Sequence, residues 1–97
     1  MTYEFHPLAR LEFAEATEFY ESRRAGLGAS FSHEIIATIE RIAEAPDRWR
    51  VIIPGIRRCF AHAFPYAIIY RERDKRLLVL AVAHTSRRPG YWSERLA

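Results

Sequence analysis

On either side of Pro46 the apolar residues of this chain repeat at different periods, and that change limits the fold more than any other feature. Before it, Ala9, Phe13, Ala16 and Tyr20 fall at i, i+4, i+7 and i+11, and Phe31, Ile35, Thr38, Ile39 and Ile42 keep the same spacing. Each set lies on one face of an α-helix. Glu12, Glu15, Glu18 and Glu21 fall mostly on the outer face of the first helix. That helix is expected to run from Leu8 to just before Gly26-Leu27-Gly28, whose glycines permit positive φ in a short loop. The second helix is expected to stop at Ala45, because a proline disfavours the helical conformation in the residue before it.

Beyond Pro46 the texture is that of β-strands. Ile56 to Phe64, Tyr66 to Glu72 and Leu77 to Thr85 are rich in β-branched and aromatic residues, and their short connections imply an antiparallel meander. Thr2 to His6 alternates weakly and stops at Pro7, which fits a short first strand. The last run, Leu77 to Ala83, is apolar at both parities, the pattern of a strand covered on both faces. The order β-α-α-β-β-β predicts an α+β fold with a helical hairpin packed on one face of a small, mainly antiparallel sheet. The tail from Ser86 begins with turn chemistry and is too short for an element of its own.

At 97 residues the expectation is a single domain over residues 1–97. The longest stretch without Asp, Glu, Lys or Arg is Cys59 to Tyr70, shorter than the roughly 18 to 20 apolar residues of a membrane span. The amino terminus has neither the basic nor the apolar region of a secretory signal, so a cytoplasmic location without a membrane partner is expected. Cys59 stands alone, expected to be a buried structural residue. His6, His33, His62 and His84 lack metal-ligand spacing, and no phosphate-binding loop or dinucleotide fingerprint occurs. Neither a metal nor a cofactor is expected.

Charge is unevenly spread. Residues 1–47 carry four arginines against nine acids, whereas residues 48–97 carry eleven Lys plus Arg against three acids; the sole lysine is Lys75. Arginine's fixed fork suits carboxylate and phosphate, so the second half suggests an acidic partner, with a solvated face as the alternative. Arg57 and Arg58 are adjacent in a predicted strand and must point to opposite faces; which face lies under the helices is open. His84 ends the apolar strand beside Arg87 and Arg88. It is a candidate proton shuttle or donor to phosphate, or else a structural side chain bonded to nearby backbone. Arg87-Arg88-Pro89-Gly90-Tyr91-Trp92 joins cations to aromatics on a proline-fixed turn, a pattern suited to an interface or to stacking on bases, or to a clasp over the sheet edge.

These pieces together resemble the RelE/ParE superfamily of bacterial toxins. The resemblance rests on Phe19-Tyr20-Glu21, Gly55-Ile56-Arg57-Arg58, Phe64-Pro65-Tyr66-Ala67-Ile68-Ile69-Tyr70 and Ala81-Val82-Ala83-His84-Thr85-Ser86-Arg87-Arg88-Pro89-Gly90-Tyr91-Trp92, in that order and over nearly the whole chain. It implies the toxin of a type II toxin–antitoxin pair, neutralised by a cognate antitoxin. RelE-like members are ribosome-dependent mRNA endoribonucleases with a basic cluster that commonly includes lysines. ParE-like members, often labelled plasmid stabilisation proteins, are taken to poison DNA gyrase. With no lysine near Arg57 and Arg58, this sequence looks more like the ParE side. The resemblance implies gyrase and an antitoxin as partners, DNA being reached only through the antitoxin, and Arg57, Arg58, His84, Arg87, Arg88, Tyr91 and Trp92 as target- or antitoxin-binding residues. The alternatives are a metal-free nuclease acting on ribosome-bound mRNA, in which His84, Arg57, Arg58, Arg87 and Arg88 would be catalytic, and an inactive toxin-like module that only binds antitoxin.

Overall fold

A computed structural model of the chain describes residues 1–96. The elements are β1 (Thr2–Phe5), α1 (Pro7–Arg23), α2 (Leu27–Glu44), β2 (Arg50–Ile53), β3 (Ile56–Phe60), β4 (Tyr66–Arg73) and β5 (Arg76–His84), followed by a 3₁₀ turn at Ser93–Leu96. They form one sheet in the order β1-β5-β4-β3-β2, parallel between β1 and β5 and antiparallel elsewhere. This is the expected α+β arrangement with one strand more. The short β2 was not expected; it turns into β3 through Pro54-Gly55, where Gly55 takes φ 80°. β3 ends at Phe60 rather than Phe64, because the backbone N–H of Ala61 closes a loop onto the carbonyl of Tyr66 at 2.9 Å and Ala63 takes φ 66°. The tail also departs from expectation, since Ser93–Leu96 wind into the 3₁₀ turn.

The hairpin of α1 and α2 is tighter than two loop glycines suggest. Gly26 alone takes positive φ, 89°, while Gly28 lies in the first turn of α2. A Cβ on Gly28 would stand 2.8 Å from the carbonyl oxygen of Thr17 and 2.9 Å from the Cβ of Glu21, so the bare backbone sets how closely the helices approach. α2 has no side-chain cap of its own. Glu21 supplies one from α1, accepting from the N–H of Gly26 and, at 3.0 Å, from that of Gly28. A carboxylate there also complements the helix dipole.

Both helices bury their apolar stripes on one face of the sheet. Phe31, Ile35, Ile39 and Ile42 of α2 pack with Ala9 and Ala16 of α1 against Cys59, Ile68, Tyr70, Val79 and Val82. Each large side chain removed from water here contributes about 1.5–3 kcal/mol. The face under the helices is thus the small one, with Cys59 and Ala61; Phe60 points away and is exposed. β5 is buried on both sides, helped by a bulge. Tyr70 pairs with Val79 and Ile69 with Ala81, so Leu80 is the extra residue, and Leu80 and Ala81 both join the cluster on the far face. Among the described residues no helix is long and apolar enough to cross a membrane.

Candidate functional site

The face away from the helices is open, and its apolar floor is made by Ile56, Ile69 and Ala83 with Trp92 of the tail. A groove of about 730 Å³ runs over Ile69, Ala83 and Trp92 of this floor, bordered by Ile53, Arg58, Phe60, His84, Arg87 and Arg88. Arg58 stands over the ring of Phe60 at 4.7 Å, so the exposed aromatic and its cation form one amphipathic surface.

Of the residues singled out from the sequence, Arg58, His84, Arg87, Arg88, Tyr91 and Trp92 come together around this groove. Arg57 does not. It points to the helix side, where its guanidinium donates to the carbonyls of Trp49 at 2.7 Å and Asp47 at 3.0 Å. Those bonds, with that from the Tyr70 hydroxyl to the Pro46 carbonyl at 2.7 Å, hold the connection between α2 and β2. Burial pushes the Tyr70 hydroxyl far above its ordinary titration range. Cys59 is buried as expected, and burial raises its thiol as well, the nearby Arg41 opposing and Glu34 adding to the shift.

His84 sits at the end of β5 with its ring edge-on to Tyr66, 5.2 Å between centroids. Its Nδ1 accepts from the backbone N–H of Ser86 at 3.0 Å, with Ser86 Oγ 2.8 Å away. A backbone donor to Nδ1 places the neutral ring's proton on Nε2. The ring keeps an N–H at Nε2 but lies on the helix side of the sheet, since His84 pairs with Tyr66 and alternates with Ala83 of the open face; its local backbone bond is the structural one of its two expected roles.

The tail is held by a hub that sequence reasoning missed. Glu12 of α1 accepts from both terminal nitrogens of Arg95 at 2.9 Å, from the Tyr91 hydroxyl at 2.6 Å and from the Val82 N–H at 3.0 Å. Arg95 also donates to the Leu80 carbonyl at 3.0 Å. β1 pairs with β5 only as far as Val79, so these two side chains satisfy backbone groups of β5 beyond the point where β1 stops. Burial and the bond to Glu12 push the Tyr91 hydroxyl far up. Tyr91 is thus a clasp whose ring carries Arg87 at 3.8 Å and faces it towards the groove mouth. Trp92, also part of the floor, is only 6% exposed.

The groove combines an apolar centre with the cations Arg58, Arg87 and Arg88 around it. Among the described residues no three His, Cys, Asp or Glu stand together as metal ligands would. A family model described as ParE toxin of type II toxin–antitoxin system, parDE, matches residues 3–89. The chain belongs to this ParE toxin family. Among solved structures it is similar to one described as the chromosomal ParDE TA system from P. aeruginosa, with a TM-score of 0.74 and 13% identity, covering 89% of this chain and 97% of that one. At that identity the likeness shows the fold, with the same hairpin-on-sheet plan. No curated protein matches the chain. As a ParE-family toxin it places on its open face the arginines and aromatics of the Ala81–Trp92 segment that carried the resemblance.

Proposed function

We propose that this toxin inhibits growth by binding DNA gyrase through the open sheet face, and that a cognate antitoxin neutralises it by occupying the same groove. The observation that carries the reading is the grouping of Arg58, Phe60, Arg87 and Arg88 around an apolar floor, with no carboxylate among the groove's lining residues. Buried aromatic anchors ringed by cations are the usual centre of a tight interface. General acid–base cleavage of RNA calls for a base within reach of a 2′-hydroxyl. The one imidazole at the groove's border has Nδ1 engaged by Ser86 and its ring packed on Tyr66, on the helix side, which favours binding over nuclease chemistry.

The antitoxin segment complementary to this face is apolar on one side and acidic on the other, because it must meet both the floor and the guanidiniums. Its association should slow as salt rises, more than its dissociation quickens.

The test is pulse labelling in bacteria after induction of the chain without its antitoxin, alongside a supercoiling assay with purified gyrase. Loss of thymidine incorporation before that of methionine, with supercoiling inhibited, is the expected result. Earlier loss of methionine incorporation would move the target to translation and overturn the gyrase assignment.

A further inference from the structure

Sheet register sorts the strand arginines onto one side. Arg50 pairs with Arg58, Arg58 with Ile69, Arg71 with Leu78, and Arg73 with Arg76. Ile69 and Leu78 belong to the apolar cluster on the face away from the helices. Residues directly opposite them, and those two places along the same strand, share that side. Arg50, Arg58, Arg71, Arg73 and Arg76 therefore lie on the open face. Of these, Arg76 alone reaches a carboxylate among the described residues: Glu4, at 3.1 Å, with both side chains more than half exposed. An exposed pair of that kind adds little stability, so Glu4 exchanges readily for another anion.

The row runs well beyond the groove. Alternate residues of a strand are about 6.7 Å apart and neighbouring strands about 4.8 Å, so the backbones of adjacent members are roughly 5–8 Å apart and the row spreads over four strands, about 14 Å across. Glu4 and Asp74 lie beside Arg71, Arg73 and Arg76, and the array as a whole stays positive, so it is complemented by an anion of extended charge. A single extended peptide covers only one line of it.

We propose that the open face binds duplex DNA through its phosphodiester backbone, without reading sequence. Guanidinium forks match phosphate oxygens and stay charged at any cellular pH. A duplex carries about one negative charge per 1.7 Å of axis and presents phosphates on both sides of a groove roughly 6 or 12 Å wide, which suits an array of this breadth. Single-stranded RNA is less well matched, because it is held largely by bases stacked on aromatic platforms. Phe60 is the large aromatic exposed on this face, and Arg58 already covers it. This contact belongs to the chain alone and goes beyond the gyrase reading, adding a direct one to the antitoxin-mediated contact with DNA that the resemblance implies.

The experiment is fluorescence anisotropy of a labelled 20-base-pair duplex with the full chain, from 50 to 200 mM KCl. With about five phosphates neutralised, log K should fall against log salt with a slope of about −4.5, a loss on the order of 10²- to 10³-fold over that range. Changing the duplex sequence should alter affinity by no more than about twofold. Replacing Arg71, Arg73 and Arg76 together by Gln should flatten the slope by about 3. An Arg73→Gln/Arg76→Gln pair, at two exposed positions, repeats the measurement should the triple variant fail to fold. The control Arg10→Gln/Arg23→Gln/Arg24→Gln makes the same change in net charge on the helical hairpin and should leave affinity within about twofold. Equal losses in control and face variants would overturn the proposal, reducing it to net-charge attraction. Tighter binding of a single-stranded RNA 20-mer, or of poly-glutamate with no duplex binding at 50 mM, would likewise overturn it and assign the face to RNA or to an acidic protein. The duplex assay contains no gyrase, so its failure and that of the supercoiling assay are read separately.

Discussion

The carboxylate of Glu12 and the guanidinium of Arg95, 83 residues apart in sequence, meet in a two-pronged pair at 2.9 Å that fastens the tail to the first helix. Both side chains are largely buried, at 15% and 10% exposure. Glu12→Ala leaves the Arg95 charge, the Tyr91 hydroxyl and the Val82 N–H without their acceptor. A loss of about 3–5 kcal/mol is expected, the range for removing one partner of a buried pair. Tyr91→Phe removes one bond and should lose only about 1 kcal/mol. Urea unfolding followed by tryptophan fluorescence measures both, and equal midpoints for the two variants would show that Glu12 is not the hub.

Stability should fall on the alkaline side. The hydroxyls of Tyr70 and Tyr91 are held above their ordinary value of 10, first by burial, as are those of Tyr66 and Tyr20. In the unfolded chain these phenols ionise near pH 10, while the folded protein keeps them neutral, so above that pH the folded state binds more protons. Their contribution is present in full below the unfolded value and is lost as pH rises towards the folded one, by up to about 1.4 kcal/mol per pH unit for each group. The Cys59 thiol, raised from 9.0 by burial, starts the decline earlier. Urea midpoints from pH 7 to 11 should show the fall, and Tyr70→Phe should make it shallower above pH 10.

Gly28→Ala tests the helix crossing. Helix propensity alone favours the change by about 1 kcal/mol. The new methyl would meet the Thr17 carbonyl oxygen at 2.8 Å, which is backbone and cannot swing away. Overpacking of this kind costs about 1–3 kcal/mol, so a net loss and a lower melting temperature are expected. An unchanged or higher melting temperature would mean that the helices separate freely at this point.

Arg57 and Arg58 should separate stability from activity. Arg57→Gln removes a charged donor from two carbonyls and should destabilise by about 1.5–3 kcal/mol. Arg58→Gln removes a cation from the groove rim and should change stability by less than about 0.5 kcal/mol, while weakening growth inhibition. Thermal unfolding and plating after induction give the two readouts, and the opposite pairing of effects would place the working arginine under the helices.

How much of this was legible beforehand follows from local patterning. The buried stripe Phe31, Ile35, Thr38, Ile39 and Ile42 and the doubly covered strand β5 were plain in the apolar spacing. β2 was not, since four residues containing a register shift show no usable alternation. Which side of β3 faces the helices was open because each parity carries one arginine. Space decides it: Cys59 and Ala61 fit beneath α2, and Phe60 does not. The row through Arg71 and Arg73 had a signal, alternation with Ile69 along β4, but its continuity with Arg58 depends on strand pairing. The bond from Glu12 to Arg95 had none, because nothing local announces an ion pair between one helix and a distant tail.

His84 decides between binding and cleavage. Its Nδ1 accepts from Ser86, so the ring has a single N–H left, at Nε2, beside the groove's end. His84→Asn can keep an acceptor for the Ser86 N–H while withdrawing that outer donor, and thus removes one hydrogen bond without loosening the turn. If the groove only binds, the loss in growth inhibition should stay near tenfold, the worth of roughly one hydrogen bond. A proton-transfer role would show instead as a drop of about 10² to 10⁴ in mRNA cleavage, read by primer extension in induced cells. His84→Gln, which can restore a donor near the Nε2 position, sharpens the distinction. It should recover part of the binding, whereas an amide cannot shuttle protons and would leave cleavage as low as in the asparagine variant.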